Sequence, residues 1–254
     1  MKFLRYSYND KIENGIFENN MIKKIKGDYF SEFQITETEI DLNSVKLLSP
    51  TMPSKIVAVG LNYVDHAKEL KMEIPKNPII FIKPASTVIG PEDPIIYPET
   101  STQVDYEVEL GIVIGRRAKN VEKDEAEEYI LGYTVFNDVT ARDLQRKDTQ
   151  WTRAKSYDTF APIGPMIETN IDPFDLPISL KLNGTTKQNS STKNMIFNCY
   201  ELLEFISEIM PLEPGDVIAT GTPPGVGPMN RGDTVEAKIE GIGRSEERRV
   251  GKEC

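Results

Sequence analysis

Asp105-Tyr-Glu-Val-Glu-Leu-Gly-Ile-Val-Ile-Gly115 is the stretch of this chain that decides its fold. Its alternation and its β-branched residues predict a strand over residues 104–114. Side chains two residues apart on a strand share a face, so Glu107 and Glu109 point the same way, with Asp105 as a third acid beside them. Like charges so placed repel unless a cation lies between them. The stretch therefore predicts either a cation site or the solvated polar face of an edge strand.

A second acidic segment, Phe136-Asn-Asp-Val-Thr-Ala-Arg-Asp143, follows shortly downstream. Asp138 comes at the end of an apolar strand predicted over residues 131–137, where side chains reach out of a sheet into a cleft. Together with Glu107 and Glu109 it makes an all-oxygen set of donors, which suits Mg²⁺ or Mn²⁺. The sequence has no cluster of cysteine and histidine, so zinc is disfavoured.

The composition is that of an ordinary globular protein of 254 residues, with 39% hydrophobic and 28% charged residues. A net charge of −10 offers no basic surface, which argues against nucleic-acid binding. The apolar runs are too short to span a membrane, and the first residues show no signal core. Cys199 and Cys254 make no disulfide framework, which favours a cytoplasmic protein. His66 is the single histidine, so any imidazole chemistry must use it.

Three regions are predicted along the chain. Residues 1–50 form a small strand-rich N-terminal domain, and Leu48-Ser-Pro-Thr-Met-Pro53 is a linker because of its two prolines. Residues 51–243 form the main domain, which contains both acidic segments. Residues 244–254 show no apolar period and resemble a translated sequencing adapter, so we interpret them as a non-native tail and exclude them from the fold prediction.

Many short strands and 17 glycines and 17 prolines predict a mainly β (α+β) fold, a sandwich or roll with short helices rather than a doubly wound parallel sheet. Asn183-Gly184 predicts a hairpin turn. No GxGxxG or P-loop follows a strand, so a nucleotide cofactor has no support. Helices are predicted at residues 63–71, 122–130, 140–147 and 199–209.

His66 and Glu69 are three residues apart on a predicted helix, so they share a face. A carboxylate beside an imidazole orients the ring for use as a general base, although an incidental pair on an exposed helix would look the same. Lys155 and Arg142 are by default surface cations. The stretch Gly221-Thr-Pro-Pro-Gly-Val-Gly227 is a turn whose backbone N–H groups and Thr222 hydroxyl could also meet a ligand carboxylate.

Six motifs, in order, are similar to those of the fumarylacetoacetate hydrolase family, in particular its acylpyruvase and 2-hydroxyhepta-2,4-diene-1,7-dioate isomerase members. The resemblance covers roughly residues 50–243. It implies a mixed β-sandwich roll, usually a homodimer, with Mg²⁺ or Mn²⁺ at its mouth. The motifs are Val59-Gly-Leu-Asn-Tyr-Val-Asp-His66 with Glu69, Phe81-Ile-Lys-Pro-Ala-Ser86, Tyr106-Glu-Val-Glu-Leu-Gly111, Phe136-Asn-Asp-Val-Thr-Ala-Arg-Asp143, Ala154-Lys-Ser-Tyr-Asp158 and Leu212-Glu-Pro-Gly-Asp-Val-Ile-Ala-Thr-Gly-Thr-Pro223.

The resemblance also implies a role for each matching residue. Lys155 would be the cation beside the bound substrate, and Thr222 would contact the substrate carboxylate. The other implied roles are metal ligands for Glu107, Glu109 and Asp138, a water-activating dyad for His66 and Glu69, and pocket lining for Arg142 and Gln145.

The expected activity is hydrolysis of a C–C bond in a 2-oxo acid such as an acylpyruvate. Decarboxylation of an oxaloacetate-type substrate and isomerisation of a 2-hydroxydienoate stay open, because both use the same site. Two other classes are a metal-dependent phosphoesterase, for which no phosphate-cradling loop is present, and a non-catalytic metal-stabilised binding protein, which has no use for the dyad. Residues 62–76 are expected to form a mobile lid that carries the dyad.

Overall fold

The computed structural model describes residues 1–248, with side chains described up to residue 245. These residues form nineteen strands and four α-helices. The strands of the first half are Lys2–Tyr8 (β1), Lys11–Glu18 (β2), Met21–Gly27 (β3), Phe33–Asp41 (β4), Lys46–Leu48 (β5), Lys55–Val59 (β6), Ile80–Pro84 (β7), Val88–Ile89 (β8), Val104–Tyr106 (β9) and Val108–Ile114 (β10). The strands of the second half are Ile130–Asn137 (β11), Thr140–Ala141 (β12), Ala161–Glu168 (β13), Pro177–Leu182 (β14), Thr185–Ser191 (β15), Val217–Ala219 (β16), Gly227–Met229 (β17), Thr234–Ile239 (β18) and Gly243–Arg248 (β19). The helices are Val64–Leu70 (α1), Arg142–Lys147 (α2), Thr152–Lys155 (α3) and Cys199–Ile209 (α4).

The strands form one large sheet and two small ones. The large sheet has twelve strands, in the order β4-β3-β2-β1-β13-β11-β10-β16-β6-β7, with β5 beside β1 and β8 beside β13. The small sheets are β12-β9-β17 and β15-β14-β18-β19. Most neighbours are antiparallel, but β16 runs parallel to β6 and β13 parallel to β8. This architecture confirms the predicted mixed, mainly β roll.

The four-stranded sheet packs against the centre of the large sheet. Strands β14 and β18 contact β10 and β11, and α4 closes the same core with its apolar face. The core is continuous across these layers, because buried residues of both sheets and of α4 form one cluster. Its members include Val108, Leu110, Ile112, Ile178, Leu180, Leu202, Leu203, Ile206, Val235 and Ala237.

Local signals account for several elements. Helix α4 begins at the predicted residue because Asn198 caps it and Glu201 closes a capping box. The predicted hairpin between β14 and β15 turns at Asn183 and Gly184, both with positive φ (51° and 76°). The helix predicted at 63–71 is α1. Residues 123–129 form a 3₁₀ helix, and residues 140–147 split into β12 and α2.

The strand predicted over residues 104–114 is broken at Glu107, so that prediction is wrong in one respect. β9 belongs to the three-stranded sheet and β10 to the large sheet. At the break the Glu107 N–H donates to Asn137 Oδ1 (2.9 Å) and the Val108 N–H to Gln188 Oε1 (3.0 Å). Side chains thus replace the sheet partners that the backbone loses there.

Strand β13 was not predicted from the sequence. It contains Pro162, Gly164 and Pro165, which are usual signs of a turn. In the fold it is a buried strand between β1 and β11. Tertiary packing outweighs the local signal here.

The segment predicted as a linker is packed rather than free. Thr51 Oγ1 donates to Gly215 O (2.6 Å), and the buried Tyr29 hydroxyl donates to Pro50 O. The strands of residues 1–50 also belong to the large sheet, because β1 pairs with β13. The domain boundary at residue 50 stays a prediction.

The tail was excluded from the fold prediction, but its first residues form part of a strand. Strand β19 pairs with the whole of β18, from Ile239 opposite Gly243 to Thr234 opposite Arg248. Backbone hydrogen bonds at an open strand edge need no apolar side-chain pattern, which is why the pattern did not reveal it. Residues 249–254, including Cys254, lie outside the described residues, and the proposed origin of the tail stays a prediction.

Asp216, in the motif from Leu212 to Pro223, holds the start of β6 against β16. Its buried carboxylate accepts hydrogen bonds from the backbone N–H and hydroxyl of Ser54 and from the backbone N–H of Glu213. It also forms an ion pair with Lys55 Nζ (2.5 Å). Burial raises the pKa of Asp216, but Lys55 and the other donors outweigh that effect and lower the pKa below its usual value.

We expect an Asp216→Asn variant to lose about 3 kcal/mol of unfolding free energy at neutral pH, because it leaves Lys55 without its buried partner. A carboxylate whose pKa is lower in the folded than in the unfolded state stabilises the fold at pH values above its unfolded pKa of about 3.9. This stabilisation is lost as the pH falls through the pKa of the folded state. The difference between wild type and variant should therefore shrink below about pH 4. Urea unfolding across pH measures this. An equal loss in the exposed control Asp124→Asn would contradict it.

Among the helices of residues 1–248, none is long and apolar enough to cross a membrane; the longest, α4, has 11 residues.

Candidate active site

Three carboxylates meet where β9, β10 and β11 come together. Glu107 lies at the break between β9 and β10, Glu109 lies in β10, and Asp138 follows β11. The pairing of β10 with β11 continues past the strand end, since Asp138 N–H donates to Glu107 O (2.9 Å). One oxygen of each carboxylate lies within 4.8 Å of the others. The fold therefore brings together the three acids singled out in the sequence.

These acids do not form the solvated face of an edge strand. Strand β10 lies between β11 and β16 in the middle of the large sheet. The exposed fractions are 6% for Glu107, 1% for Glu109 and 1% for Asp138. Carboxylates are rarely buried this far unless charged partners or a metal ion compensate them.

Two buried lysines supply part of the compensation. Lys155 Nζ contacts Glu107 Oε2 (3.0 Å) and also donates to Asp138 Oδ2. Lys83 Nζ, with no exposed surface, donates to Asp138 Oδ1 (2.5 Å) and Val139 O (3.1 Å). The default interpretation of Lys155 as a surface cation is thus wrong. Lys83 was visible in the sequence only as part of a motif, and nothing local indicated its partner 55 residues away.

The electrostatics of the three acids differ. Burial raises the pKa of Glu109 well above its usual value, and the neighbouring Asp138 and Glu107 raise it further. Burial also acts to raise the pKa of Glu107, but Lys155 and Arg142 outweigh it and hold that pKa at about 2. Glu109 is therefore the acid whose charge the surrounding protein compensates least.

Arg142, at the start of α2, binds Asp105, the remaining acid of the β9 stretch. Its Nε donates to Asp105 Oδ2 (2.8 Å), and its other nitrogens donate to Glu107 and Gln145. Asp105 thus pairs with an arginine rather than joining the three-acid cluster. The guanidinium charge of Arg142 is already shared between two carboxylates.

The predicted dyad is formed on α1. His66 Nδ1 lies 2.8 Å from Glu69 Oε2, and the Gly225 N–H donates to Glu69 Oε1 (3.1 Å). An ionised Glu69 carboxylate can only accept, which favours the neutral tautomer with its proton on Nδ1 and leaves Nε2 as the acceptor. His66 lines the same cleft as Glu107 and Lys155.

In the glycine-rich stretch from Gly221 to Gly227, backbone N–H groups donate to carboxylates of the chain itself. Gly221 N–H donates to Glu109 Oε2 (2.8 Å), and Gly225 N–H holds Glu69 as described. The Thr222 hydroxyl donates to Val108 O (2.9 Å) and accepts from Gln188 Nε2 (2.8 Å). The Thr222 hydroxyl proton is therefore already used in the hydrogen bond to Val108 O, so a ligand carboxylate would need another donor. Gln188 lies on β15, and no local pattern indicated its role.

A cleft of about 340 Å³ opens beside the acids. Of the residues with predicted roles, six line it: His66, Glu107, Arg142, Gln145, Lys155 and Thr222. Glu69, Glu109 and Asp138 do not line it, but each hydrogen-bonds to a lining residue or to the neighbouring backbone. Much of the remaining lining is apolar: Val59, Leu61, Leu70, Met72, Ile79, Phe81 and Trp151.

The three acids fit a hard divalent cation. They offer only oxygen donors, close enough to meet at one ion. Their mutual repulsion, which raises the pKa of Glu109, would be relieved by a charge of +2 at their centre. Glu107, Glu109 and Asp138 are thus the residues that could hold Mg²⁺ or Mn²⁺.

The segment predicted as a lid is anchored at its start and exposed beyond it. Asn62 is buried, and its side chain bonds Thr220 O (2.7 Å) and both backbone groups of Phe197. Within α1 only Ala67 is buried, and residues 68–74 are exposed. Any movement must therefore begin after Tyr63, two residues later than the sequence predicted.

We expect residues 64–76 to gain protection from hydrogen exchange when oxalate is added to the Mg²⁺-loaded protein. Opening of α1 would break only a few side-chain contacts, chiefly Asp65 with Ser190 (2.7 Å) and Glu69 with Gly225, so the open state should be accessible without a ligand. Exchange of the α4 backbone, buried in the core, provides the internal control. Equal protection of residues 64–76 in both states would mean a preformed helix and no lid.

A mainly β roll with a buried carboxylate cluster beside a cleft defines the class of fold and site, and comparison with known proteins gives the family. Residues 55–250 match the family model described as fumarylacetoacetate (FAA) hydrolase C-terminal. Residues 1–50 match the model described as Rv2993c-like, N-terminal. The chain belongs to the fumarylacetoacetate hydrolase family, as the motifs indicated.

Three relatives illustrate the range of reactions in the family. The structure of 2-hydroxyhepta-2,4-diene-1,7-dioate isomerase from Mycobacterium marinum is 41% identical, covers 100% of both chains and has a TM-score of 0.93. Mitochondrial oxaloacetate tautomerase from Xenopus laevis is 42% identical over 84% of this chain and 73% of its own. Maleylpyruvate hydrolase from Sphingobium sp. SYK-6, solved with manganese(II) and pyruvate, is 27% identical over 100% of both chains, with a TM-score of 0.84.

Proposed function

We propose that this protein is a divalent-metal-dependent hydrolase that cleaves a C–C bond in a 2-oxo acid with a second carbonyl group, such as an acylpyruvate. The observation that carries the proposal is the His66–Glu69 dyad, whose imidazole lines the same cleft as Glu107 and Lys155. A non-catalytic binding protein would need the acids but not an oriented imidazole. The dyad therefore favours an enzyme that moves a proton.

Glu107, Glu109 and Asp138 would hold the cation, which we propose is Mg²⁺ or Mn²⁺. When bound there, it would supply Lewis-acid polarisation of the 2-oxo group. The manganese(II) and pyruvate in the related maleylpyruvate hydrolase structure support this choice of metal and of ligand class.

His66 would act as the general base. Its Nε2 accepts a proton from water while Glu69 holds Nδ1. The water oxygen adds to the C4 carbonyl carbon of the 2,4-dioxo acid, and the C3–C4 bond breaks. The bonding electron pair passes to C3 and is delocalised onto the C2 oxygen as an enolate, while the acyl group leaves as a carboxylic acid. A proton then adds to C3 to give pyruvate.

Lys155 would stabilise the negative charge that develops during this step. Its ammonium is buried, and neighbouring Asp138 and Glu107 raise its pKa against the opposing effect of burial, so it stays charged. A fixed charge in a site shielded from water stabilises an enolate more than the same charge would in solvent. Phe81 and Trp151, packed edge to face with ring centroids 5.4 Å apart, contribute to that shielding.

Keto–enol tautomerisation of oxaloacetate is the second candidate, favoured by the 42% identity to the Xenopus laevis tautomerase. It requires only proton transfer between C3 and the C2 oxygen, with His66 as the acid and base. Isomerisation of a 2-hydroxydienoate needs the same transfer along a longer conjugated system. Decarboxylation of oxaloacetate instead breaks a C–C bond without added water.

A panel of four substrates, assayed with and without Mg²⁺, tests these alternatives: oxaloacetate, acetylpyruvate, fumarylpyruvate and a 2-hydroxydienoate. We expect metal-dependent release of pyruvate from an acylpyruvate. Enol-to-keto conversion of oxaloacetate without any cleavage would replace the hydrolase proposal with the second candidate. Pyruvate from oxaloacetate alone would indicate the decarboxylase.

The homodimer implied by the resemblance is also a proposal. Sedimentation velocity of the full chain tests it, with an expected mass twice the 28.7 kDa of one chain. A single species of 28.7 kDa at micromolar concentration would contradict it.

A further inference from the structure

The cleft contains one cationic side chain whose charge no carboxylate neutralises. Arg142 is paired with Asp105 and Glu107, and Lys155 with Glu107 and Asp138. Arg146 also lines the cleft, is exposed, and has no carboxylate within 4.0 Å among the residues whose side chains are described.

Helix α2 places the charge of Arg146 at a definite part of the cleft. Arg146 is four residues after Arg142 on α2, so the two side chains leave the same face of the helix, about 6 Å apart along its axis. Arg142 reaches the acid cluster through Glu107. Arg146 therefore lies one helical turn farther from the acids along the same wall.

Its single hydrogen bond positions Arg146 without neutralising it. Arg146 NH1 donates to the neutral amide oxygen of Gln103 (3.3 Å), and Gln103 Nε2 in turn donates to Asp105 Oδ1 (3.0 Å). The other guanidinium nitrogens stay available for a planar acceptor with two oxygens, for which an arginine fork is well matched.

The rest of the lining gives this charge a selective value. Leu70, Met72, Ile79 and Trp151 offer no donor to a substrate carboxylate except the Trp151 indole N–H. A carboxylate placed away from the acid cluster would lose its hydration there, and Arg146 offers it a charged donor in place of the lost water.

We propose that Arg146 binds a second carboxylate at the distal end of the substrate, so that the preferred substrates are 2-oxo diacids. This inference rests on the proposed function for the orientation of the substrate, with its 2-oxo end at the acid cluster. Monocarboxylates of equal length would bind in the same orientation but leave Arg146 without a partner.

Calorimetric titration with a matched pair of unreactive ligands, 2-oxoglutarate and 2-oxopentanoate, tests the proposal in the presence of Mg²⁺. We expect wild type to bind the diacid about 10- to 100-fold more tightly, the range of a charge-assisted hydrogen bond. Arg146→Gln should abolish this preference and leave the affinity for 2-oxopentanoate unchanged. Arg146→Lys should keep part of the preference, because it keeps the charge but not the fork.

Lys147 provides the matched control. It is the next cation on α2, its side chain is 68% exposed, and it pairs loosely with Asp143 (3.9 Å) away from the cleft. Lys147→Gln should leave the preference for the diacid intact. Equal affinity of wild type for the two ligands, or a preference that survives Arg146→Gln, would overturn the proposal.

A second matched pair separates this inference from the proposed function. Succinylpyruvate and butyrylpyruvate are seven-carbon 2,4-dioxo acids that differ at the distal end, a carboxylate in one and a methyl group in the other. If neither releases pyruvate, the hydrolase proposal fails, while the titrations still decide the role of Arg146. If both do so, Arg146→Gln should lower kcat/KM for succinylpyruvate alone, mainly through KM; an equal loss on both would overturn the role of Arg146.

Discussion

A His66→Gln variant is expected to lose about 100- to 10,000-fold of its turnover, the usual contribution of a general base. Glutamine can still accept a hydrogen bond from water, but it cannot take up the proton. The acid cluster is built from the strands and not from α1, so the affinity for Mn²⁺ should stay unchanged. Steady-state kinetics on whichever panel compound is turned over, together with calorimetric titration of Mn²⁺, measures both quantities.

Lys68→Gln is the control for this variant, since Lys68 is an exposed residue of the same helix that does not line the cleft. It should retain wild-type turnover. If His66→Gln were as active as Lys68→Gln, the dyad would have no part in the reaction. Loss of Mn²⁺ binding in His66→Gln would instead show that α1 contributes to the metal site.

A Glu109→Gln variant is expected to bind Mn²⁺ at least about 100-fold more weakly than wild type, because even partners outside the ligand shell change affinity 10- to 100-fold. The fold should survive the change, since the amide oxygen can still accept from Gly221 N–H and burial already favours the neutral form of this side chain. Turnover should fall in parallel with the metal content.

The comparison variant is Glu128→Gln, which removes an equal charge from a side chain that is 70% exposed. Thermal unfolding of both variants without metal should give Tm values close to that of wild type. Wild-type Mn²⁺ affinity in Glu109→Gln would remove Glu109 from the proposed ligands.

The elements predicted correctly from the sequence are those with local causes. Helix α4 has its cap and its apolar face within a dozen residues, and the hairpin between β14 and β15 needs only Asn183-Gly184. The β-branched alternation of β10 is equally local. The break at Glu107 was not predictable, because the groups that stabilise it, Asn137 and Gln188, come from 30 and 80 residues away.

The same distinction applies to the site. The motifs named the residues that gather at the cleft, but they carried no information about partners. Three features of the site depend on contacts between segments far apart in the sequence. Lys83 pairs with Asp138, Arg142 binds Asp105, and the Thr222 hydroxyl donates to Val108 O. Arg146 was missed for a related reason. Its proposed role depends on having no carboxylate partner among the described side chains, and the sequence does not show which side chains lie beside it.

The cleft is lined partly from buried strands and partly from the short helices α1 and α2, and these two parts should differ in their tolerance of mutation. The acids lie in or next to buried strands of the large sheet, so changes there would disturb the core that holds the roll together. The opposite wall is formed by the exposed turns of α1 and α2, which few buried contacts constrain. A mutant library confined to the other positions of these two helices, with His66, Glu69 and Arg142 kept, should vary substrate choice while leaving the reaction centre intact, which makes this fold a suitable starting point for directed evolution.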